Sequence, residues 1–352
     1  MLKERIFADL KKIIKFQFLA IILAFACSNK DQEKLQHLLR GNEYLENADY
    51  DNAISAYEKA LMLDPDFIDA FNNKGVAYYE QGNYGLALES YNQAIQRNPD
   101  YYSAILNRSN AYIELGRTTS AIKDLEAFKT AFPDTAIVYF SLGLAKTKAK
   151  NYVEALAEFR IAGRIDPNNL EVPLNIGTIH YYLKNYDSAE YYVDQVLQED
   201  PGVGNAYNAL ALMASDKGEL ISAVEMIEKA LDFAPDDPYF LNNRGFIYLQ
   251  MDSLDLALSD INESIRVDPY NGWAYRNKGI YYLRREQFLD AVRLLEQAVD
   301  MDPSIDKSYF YLGNAYRATG DLTKACSAWK ESLKRDGDLA AEKGAEFCES
   351  FL

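Results

Sequence analysis

The 352-residue chain carries 37 basic and 53 acidic side chains, for a formal net charge of −16. That excess of negative charge repels phosphate backbones and excludes nucleic acid as an expected partner. Hydrophobic residues make up 49% of the sequence, enough to bury a continuous seam, while two histidines and three cysteines leave little for metal or nucleophile chemistry.

Residues 1–26 read as a leader. Lys3, Arg5, Lys11, Lys12 and Lys15 make a basic start, followed over 16–26 by the apolar run FQFLAIILAFA. A membrane-spanning helix needs about 20 apolar residues. This run is shorter, and its pattern is that of a secretory signal peptide. Cys27 follows Ala26 directly. The ending resembles the lipobox of bacterial lipoproteins, with Ala24 where that family prefers leucine and bulky Phe25 beside it. The resemblance implies cleavage before Cys27 and attachment to a membrane through acyl chains, palmitate among them, on Cys27. Ser28, in place of an aspartate, implies the outer membrane of the bacterial cell envelope. An uncleaved anchor and ordinary secretion are the alternatives. Residues 27–33 read as a charged tether.

From 34 to 339 the chain repeats itself every 34 residues. Pro65, Pro99, Pro133, Pro167, Pro201, Pro235, Pro269 and Pro303 keep that step, with Gly337 in the ninth place. So do Ala53, Ala87, Ala121, Ala155, Ala189, Ala223, Ala257, Ala291 and Ala325. A glycine place reads Gly41, Gly75, Gly143, Gly177, Gly245, Gly279 and Gly313, relaxed to Ser109 and Ala211. Within 68–101 the apolar spacing predicts one amphipathic helix, a break at Gly82, a second amphipathic helix and a stop at Pro99. Gly75 and Ala87 let the two backbones approach, and Tyr78, Tyr84 and Tyr91 fill the space around them. One such hairpin buries a single face, so copies must stack on either side.

This period and signature resemble the tetratricopeptide repeat. The resemblance implies an all-α, right-handed solenoid of nine repeats (34–67, 68–101, 102–135, 136–169, 170–203, 204–237, 238–271, 272–305 and 306–339) closed by a capping helix over 340–352. Phe128, on a second helix where Ala60 and Ala94 stand elsewhere, is expected to open the stacking locally. Lys146 and His180 replace the packing tyrosines Tyr44 and Tyr78, so the repeats over 136–203 are expected to be looser. Asp64, Asp166, Asp268 and Asp302, each just before a proline, suit turn chemistry. Pro173 and Pro238 fall in first turns, where a missing N–H costs little.

Catalysis has no evident seat. No Gly-rich phosphate loop, Ser-His-Asp order, paired-cysteine zinc spacing or EF-hand loop is present, and no cofactor or metal is expected. His37 and His180 read as ordinary core or surface histidines. The resemblance implies that the first helices of successive repeats line a concave groove. There the later repeats offer Tyr181, Tyr182, Tyr239, Asn242, Phe246, Trp273, Arg276, Arg284, Lys307 and Arg317. Aromatic and arginine anchors usually carry interface energy, and a basic cluster in an acidic chain would select an acidic segment or a terminal carboxylate. Packing between repeats is the other reading of Trp273 and the tyrosines. Asn277 and Lys307 occupy two places of the carboxylate clamp known from chaperone-binding members; its other places differ here.

The function expected from these features is a non-catalytic protein–protein interaction scaffold, lipid-anchored in the envelope, which gathers other envelope proteins through its groove. Capture of a peptide or glycan for an envelope uptake system is the alternative. One covalent expectation completes the reading. With Cys27 lipidated, Cys326 and Cys348 are the remaining thiols in an oxidising compartment. A cap folded back antiparallel would bring them to similar heights and so into a disulfide. Two buried free cysteines are the alternative.

Overall fold

The computed structural model describes residues 29–336 together with Gly344 and Cys348. All regular structure among them is helical. A first helix, α1, covers 29–46. It is followed by α2 (Tyr50–Leu63), α3 (Ile68–Glu80), α4 (Tyr84–Arg97), α5 (Tyr102–Glu114), α6 (Thr118–Ala131), α7 (Ala136–Lys148), α8 (Tyr152–Ile165) and α9 (Glu171–Tyr182). Then come α10 (Tyr186–Glu199), α11 (Gly204–Lys217), α12 (Leu220–Phe233), α13 (Pro238–Gln250), α14 (Leu254–Val267), α15 (Gly272–Arg284), α16 (Phe288–Met301), α17 (Ser308–Thr319) and α18 (Leu322–Asp336). They form two compact units, Met1–Asn175 and Ile176–Leu352. Inside each unit, consecutive helices pack as hairpins and successive hairpins pack on one another.

The break inside each hairpin is a single left-handed residue. Ala48, Gly82, Gly116, Lys150, Lys184, Gly218, Asp252, Glu286 and Gly320 all have φ between 56° and 87° and stand 34 residues apart. At the first glycine, Asn83 N donates to Tyr78 O at 2.8 Å and Gly82 N to Tyr79 O at 2.8 Å, the paired bonds of a Schellman ending. A Cβ at Gly82 would meet nothing within 4 Å, so only the backbone angle favours glycine there. Gly85, three residues on, lies in open space inside α4 with no such angle. Two substitutions of opposite sign follow: Gly82→Ala should lower stability by about 1 kcal/mol, whereas Gly85→Ala should raise it by a few tenths to about 1 kcal/mol. Urea unfolding of the two variants checks the pair, and equal signs would contradict this account.

Hairpins are joined by the proline turns. The carboxylates of Asp64, Asp166, Asp268 and Asp302 accept the N–H of Asp66, Asn168, Tyr270 and Ser304, two residues on. Asp237 caps α13 by accepting from Tyr239 and Phe240, both at 2.9 Å, with Pro238 as the opening helical residue.

At the hairpin crossing, the alanine of every repeat from Ala53 to Ala325 is fully buried. The glycine place faces the residue sixteen positions on. A Cβ on Gly41, Gly75, Gly143 or Gly313 would come within 2.4–2.6 Å of the ring of Tyr57, Tyr91, Phe159 or Trp329. Those four rings are almost completely buried and have no room to retreat.

Two departures from the repeat are absorbed differently from what the spacing suggests. Phe128 does not open the stack. It is buried, with ring centroids 6.2 Å from Tyr102 and 4.9 Å from Phe132. Lys146 exchanges a ring for a charge network rather than loose packing. Its Nζ donates to Glu158 at 2.7 Å and to Glu126 at 3.1 Å. Lys129 completes the ring, 2.7 Å from Glu126 and 3.1 Å from Glu158. Two ammoniums and two carboxylates from α6, α7 and α8 thus neutralise one another, with Lys146 and Glu158 buried.

Residues 29–33, read from composition as tether, are the start of α1; Asp31 pairs with Lys34 there, and Lys34 also reaches Asp64 at 2.6 Å. Glutamine, glutamate and lysine are good helix formers, which the charged-linker reading overlooked. The leader 1–26 and Cys27 lie outside the described residues, as does most of the expected cap over 340–352. Of that cap, Gly344 and Cys348 are described, and both are helical. Cys348 is joined to Cys326 by a disulfide with Cα atoms 5.7 Å apart, and the Cα of Gly344 lies close against the Trp329 ring.

Candidate partner-binding face

In the second unit the first helices α11, α13, α15 and α17 adjoin one another in sequence order. An amide ladder ties the first three together. Asn243 Nδ2 on α13 donates to Asn208 Oδ1 on α11 at 2.8 Å, and Asn277 Nδ2 on α15 donates to Asn242 Oδ1 on α13 at 2.7 Å. The first unit repeats the device, with Asn73 donating to Asn42 at 2.9 Å and Asn107 to Asn72 at 3.0 Å. Each bond satisfies two half-buried or buried amides that would otherwise be costly. Gln250 adds a further link, donating to Ser215 Oγ at 2.6 Å. The ladder escaped sequence reading, although paired asparagines at 72–73 and 242–243 are its visible trace.

Placed on this frame, the ten groove candidates separate. Tyr239 and Trp273 hold the same position in successive repeats, and both remain exposed, at 51% and 37%. Tyr182 is exposed as well, beside Tyr181 at 5.7 Å between centroids. Tyr181 itself packs inward. Lys184 lies over its ring at 5.1 Å, and burial, reinforced by the Asp216 charge and hydrogen bond, pushes its phenol far above the ordinary tyrosine range.

Three corrections follow. Asn242 is 2% exposed and belongs to the amide ladder, so it supports the face rather than lining it. The basic cluster is dispersed: Arg284 extends to Asp252 at 3.4 Å, and Arg317 lies over the Trp329 ring of its own hairpin at 5.7 Å. Lys307 adopts a left-handed backbone ahead of α17, outside the helical face on which its spacing placed it. Arg276, finally, is not a surface anchor but a buried one. Its guanidinium lies 4.7 Å from the Trp273 ring and 5.2 Å from the Phe246 ring. Nε and Nη2 donate to Asn277 Oδ1 at 3.1 and 2.8 Å, and Nη1 donates to the Asp306 carbonyl at 2.9 Å. Desolvation by this surrounding lowers the affinity of Arg276 for its proton.

A family profile described as "Tetratricopeptide repeat" matches residues 38–102, 174–238 and 276–340, more than half of the chain, and a second of the same description matches 78–142. The chain belongs to the tetratricopeptide repeat family. Among curated tetratricopeptide repeat relatives, the "Small glutamine-rich tetratricopeptide repeat-containing protein 2" of Mycosarcoma maydis is 30% identical over 140 residues, covering 38% of this chain and 35% of the relative. "BBSome complex member BBS4" of Bos taurus is 27% identical over 129 residues, covering 33% of this chain and 22% of the relative. The chain therefore spans only about a fifth to a third of these relatives. Among solved structures, a chain of the "APC/C hetero-tetramer Cut9-Hcn1" aligns with a TM-score of 0.59 at 14% identity, over 88% of this chain and 75% of its own. That likeness shows the fold. Tetratricopeptide repeats act as protein–protein interaction scaffolds, which directs attention to the α11–α13–α15–α17 face.

Proposed function

We propose that this tetratricopeptide repeat chain is a non-catalytic scaffold of the bacterial cell envelope, held at the outer membrane by lipid on Cys27. Its partner is a segment of another envelope protein, bound across α11, α13, α15 and α17. The observation that carries the reading is the pair Tyr239 and Trp273, two aromatic rings exposed at equivalent places on adjacent first helices, beside a buried arginine. Side chains of these kinds dominate binding energy at interfaces, and they sit here on rigid, mutually hydrogen-bonded helices. The disulfide between Cys326 and Cys348 supports an oxidising compartment. No helix among the described residues is long and apolar enough to cross a membrane.

The test places a photo-crosslinking amino acid at Tyr239 and, as a control, at Val153, which is 81% exposed on α8 of the first unit. A discrete protein adduct at 239 and none at 153 is expected in whole cells. Trp273→Ala should weaken that adduct's affinity by about 2 kcal/mol with little change in melting. Cys27→Ala should move the protein from the membrane to the soluble envelope fraction. Equal adducts at both positions would overturn the face, and a membrane-bound Cys27→Ala variant would overturn the anchor. Adducts with glycan or small peptide alone would favour capture for uptake instead.

A further inference from the structure

The second unit contains a buried positive charge that forms no ion pair among the described residues. This chain pairs its other interior arginines: Arg244 is bidentate to Asp260 at 2.7 and 2.9 Å, and Arg108 reaches Asp124 at 2.7 Å. Arg276 is more buried than either, at 7% exposure, yet no carboxylate among the described residues lies within ion-pair distance of it. Its hydrogen-bond acceptors are neutral: Asp306 accepts through its backbone carbonyl, and its carboxylate favours the charge only from beyond ion-pair distance. Taking a guanidinium out of water without a counter-charge is costly, several kcal/mol even after relaxation. Stability alone gives no reason for this arrangement.

The hydrogen bonds show what is still available. A guanidinium has five N–H donors. Three are engaged, one on Nε, one on Nη2 and one on Nη1. One N–H therefore remains on each terminal nitrogen, the pair that a carboxylate spans with its two oxygens. The rings of Trp273 and Phe246 exclude water on the way in, and a charge-assisted bond gains strength in such surroundings. Trp273, one wall of this cage, is itself more than a third exposed on the face described above.

We propose that Arg276 is the seat for a carboxylate, that of an aspartate or glutamate side chain in the protein segment bound along α11, α13, α15 and α17. This rests on the reading of that face as a partner-binding surface. Charge complementarity selects the occupant. Arg284 extends to Asp252 and Arg317 lies over the Trp329 ring, so Arg276 is the cation this cage presents, and a single carboxylate balances it where a doubly charged phosphate does not. Tyr239 and Trp273, exposed beside it, are placed to contact the rest of the segment that carries the acid.

The full chain, labelled with 15N-arginine, tests this directly. The Arg276 Nε–H resonance is assigned by its loss in Arg276→Lys. It is then followed during titration with the blocked pentapeptides Ac-AAEAA-NH2, Ac-AAQAA-NH2 and the equivalent phosphoserine peptide. The glutamate peptide should move the resonance saturably, and the glutamine peptide should bind about tenfold more weakly, the worth of one charged hydrogen-bond pair. Equal responses to glutamate and glutamine would overturn the carboxylate seat while leaving the binding face intact. Tighter binding of the phosphoserine peptide would overturn the choice of carboxylate. A resonance unmoved by all three would overturn the site itself, and the face would then stand or fall on crosslinking at Tyr239. The discrimination is read on the unaltered protein, so it does not depend on how an Arg276 variant folds.

Discussion

Lys146→Met is expected to destabilise the first unit by about 3–5 kcal/mol, the cost of breaking a buried ion pair by removing one partner. The substitution keeps the aliphatic stem and deletes the ammonium that holds Glu126 and Glu158 together. Two carboxylates would then face the single charge of Lys129. Glu158 is the harder to satisfy, because its Oε2 already lacks a hydrogen-bond partner. The repeat over 68–101 shows how the same space is filled without charge, with Tyr78 and Ser90 at the places of Lys146 and Glu158. Lys146→Tyr combined with Glu158→Ser should therefore recover most of the loss, leaving Glu126 and Lys129 as a neutral pair on α6. Hydrogen exchange of the α6–α8 amides locates the effect. A cost below about 1 kcal/mol, the range of an exposed pair, would show that water reaches the ring.

The same network sets a pH dependence. Burial opposes ionisation of Glu126, but hydrogen bonds from Lys129 and Lys146 outweigh it and hold its pKa below the ordinary glutamate value. A depressed carboxylate stabilises the fold above its unfolded pKa, and that contribution is lost as pH falls through the folded value. Burial likewise works against the charge on Lys129 and Lys146, and hydrogen bonds to Glu126 and Glu158 again prevail, raising both. Their contribution is complete below the unfolded lysine pKa and is lost as pH rises through the folded values. The double variant should flatten stability at both ends of the pH range.

What the sequence made legible was whatever local sterics repeat. Prolines mark the turns, alanines the crossing and glycines the closest approach, each by a residue type that few others can replace. The left-handed turn was half visible, through Gly82, Gly116, Gly218 and Gly320. It was hidden at Ala48, Lys150, Lys184, Asp252 and Glu286, where residues other than glycine hold the same angle. Lys146 was read as a lost tyrosine because its partners lie 20 residues back and 12 ahead, on other helices. Period assigns a helix face but not the direction of a long side chain. That is why Arg284 and Arg317, placed in one basic cluster, extend instead to Asp252 and over Trp329. Burial of Arg276 was invisible for the same reason, since Phe246 and Asp306 reach it from neighbouring repeats.

Gly75→Ala should cost about 2 kcal/mol, an overpacking penalty for one methyl group. The added carbon would stand 2.5 Å from Tyr91 Cε1 and 2.7 Å from Cδ1. Tyr91 is 1% exposed, and a planar ring held on every side cannot give way by rotating one bond. The chain itself contains the control. Ser109 stands opposite Leu125, and Ala211 opposite Ile227, at the same sixteen-residue spacing. Branched aliphatic partners thus occur opposite serine and alanine, although Leu295 and Ile261 also fill the space beside Gly279 and Gly245. The four ring-bearing partners, Tyr57, Tyr91, Phe159 and Trp329, all face glycine. Tyr91→Leu alone should be destabilising through lost burial, by about 2–3 kcal/mol, yet adding Gly75→Ala to it should cost little more. The coupling in the double-mutant cycle is then about 1–2 kcal/mol, read from hydrogen exchange in α3 and α4, since each repeat of such an array contacts only its neighbours. If Gly75→Ala costs the same in both backgrounds, the ring is not what the glycine serves, and the pairing of glycine with aromatic residue loses its physical basis.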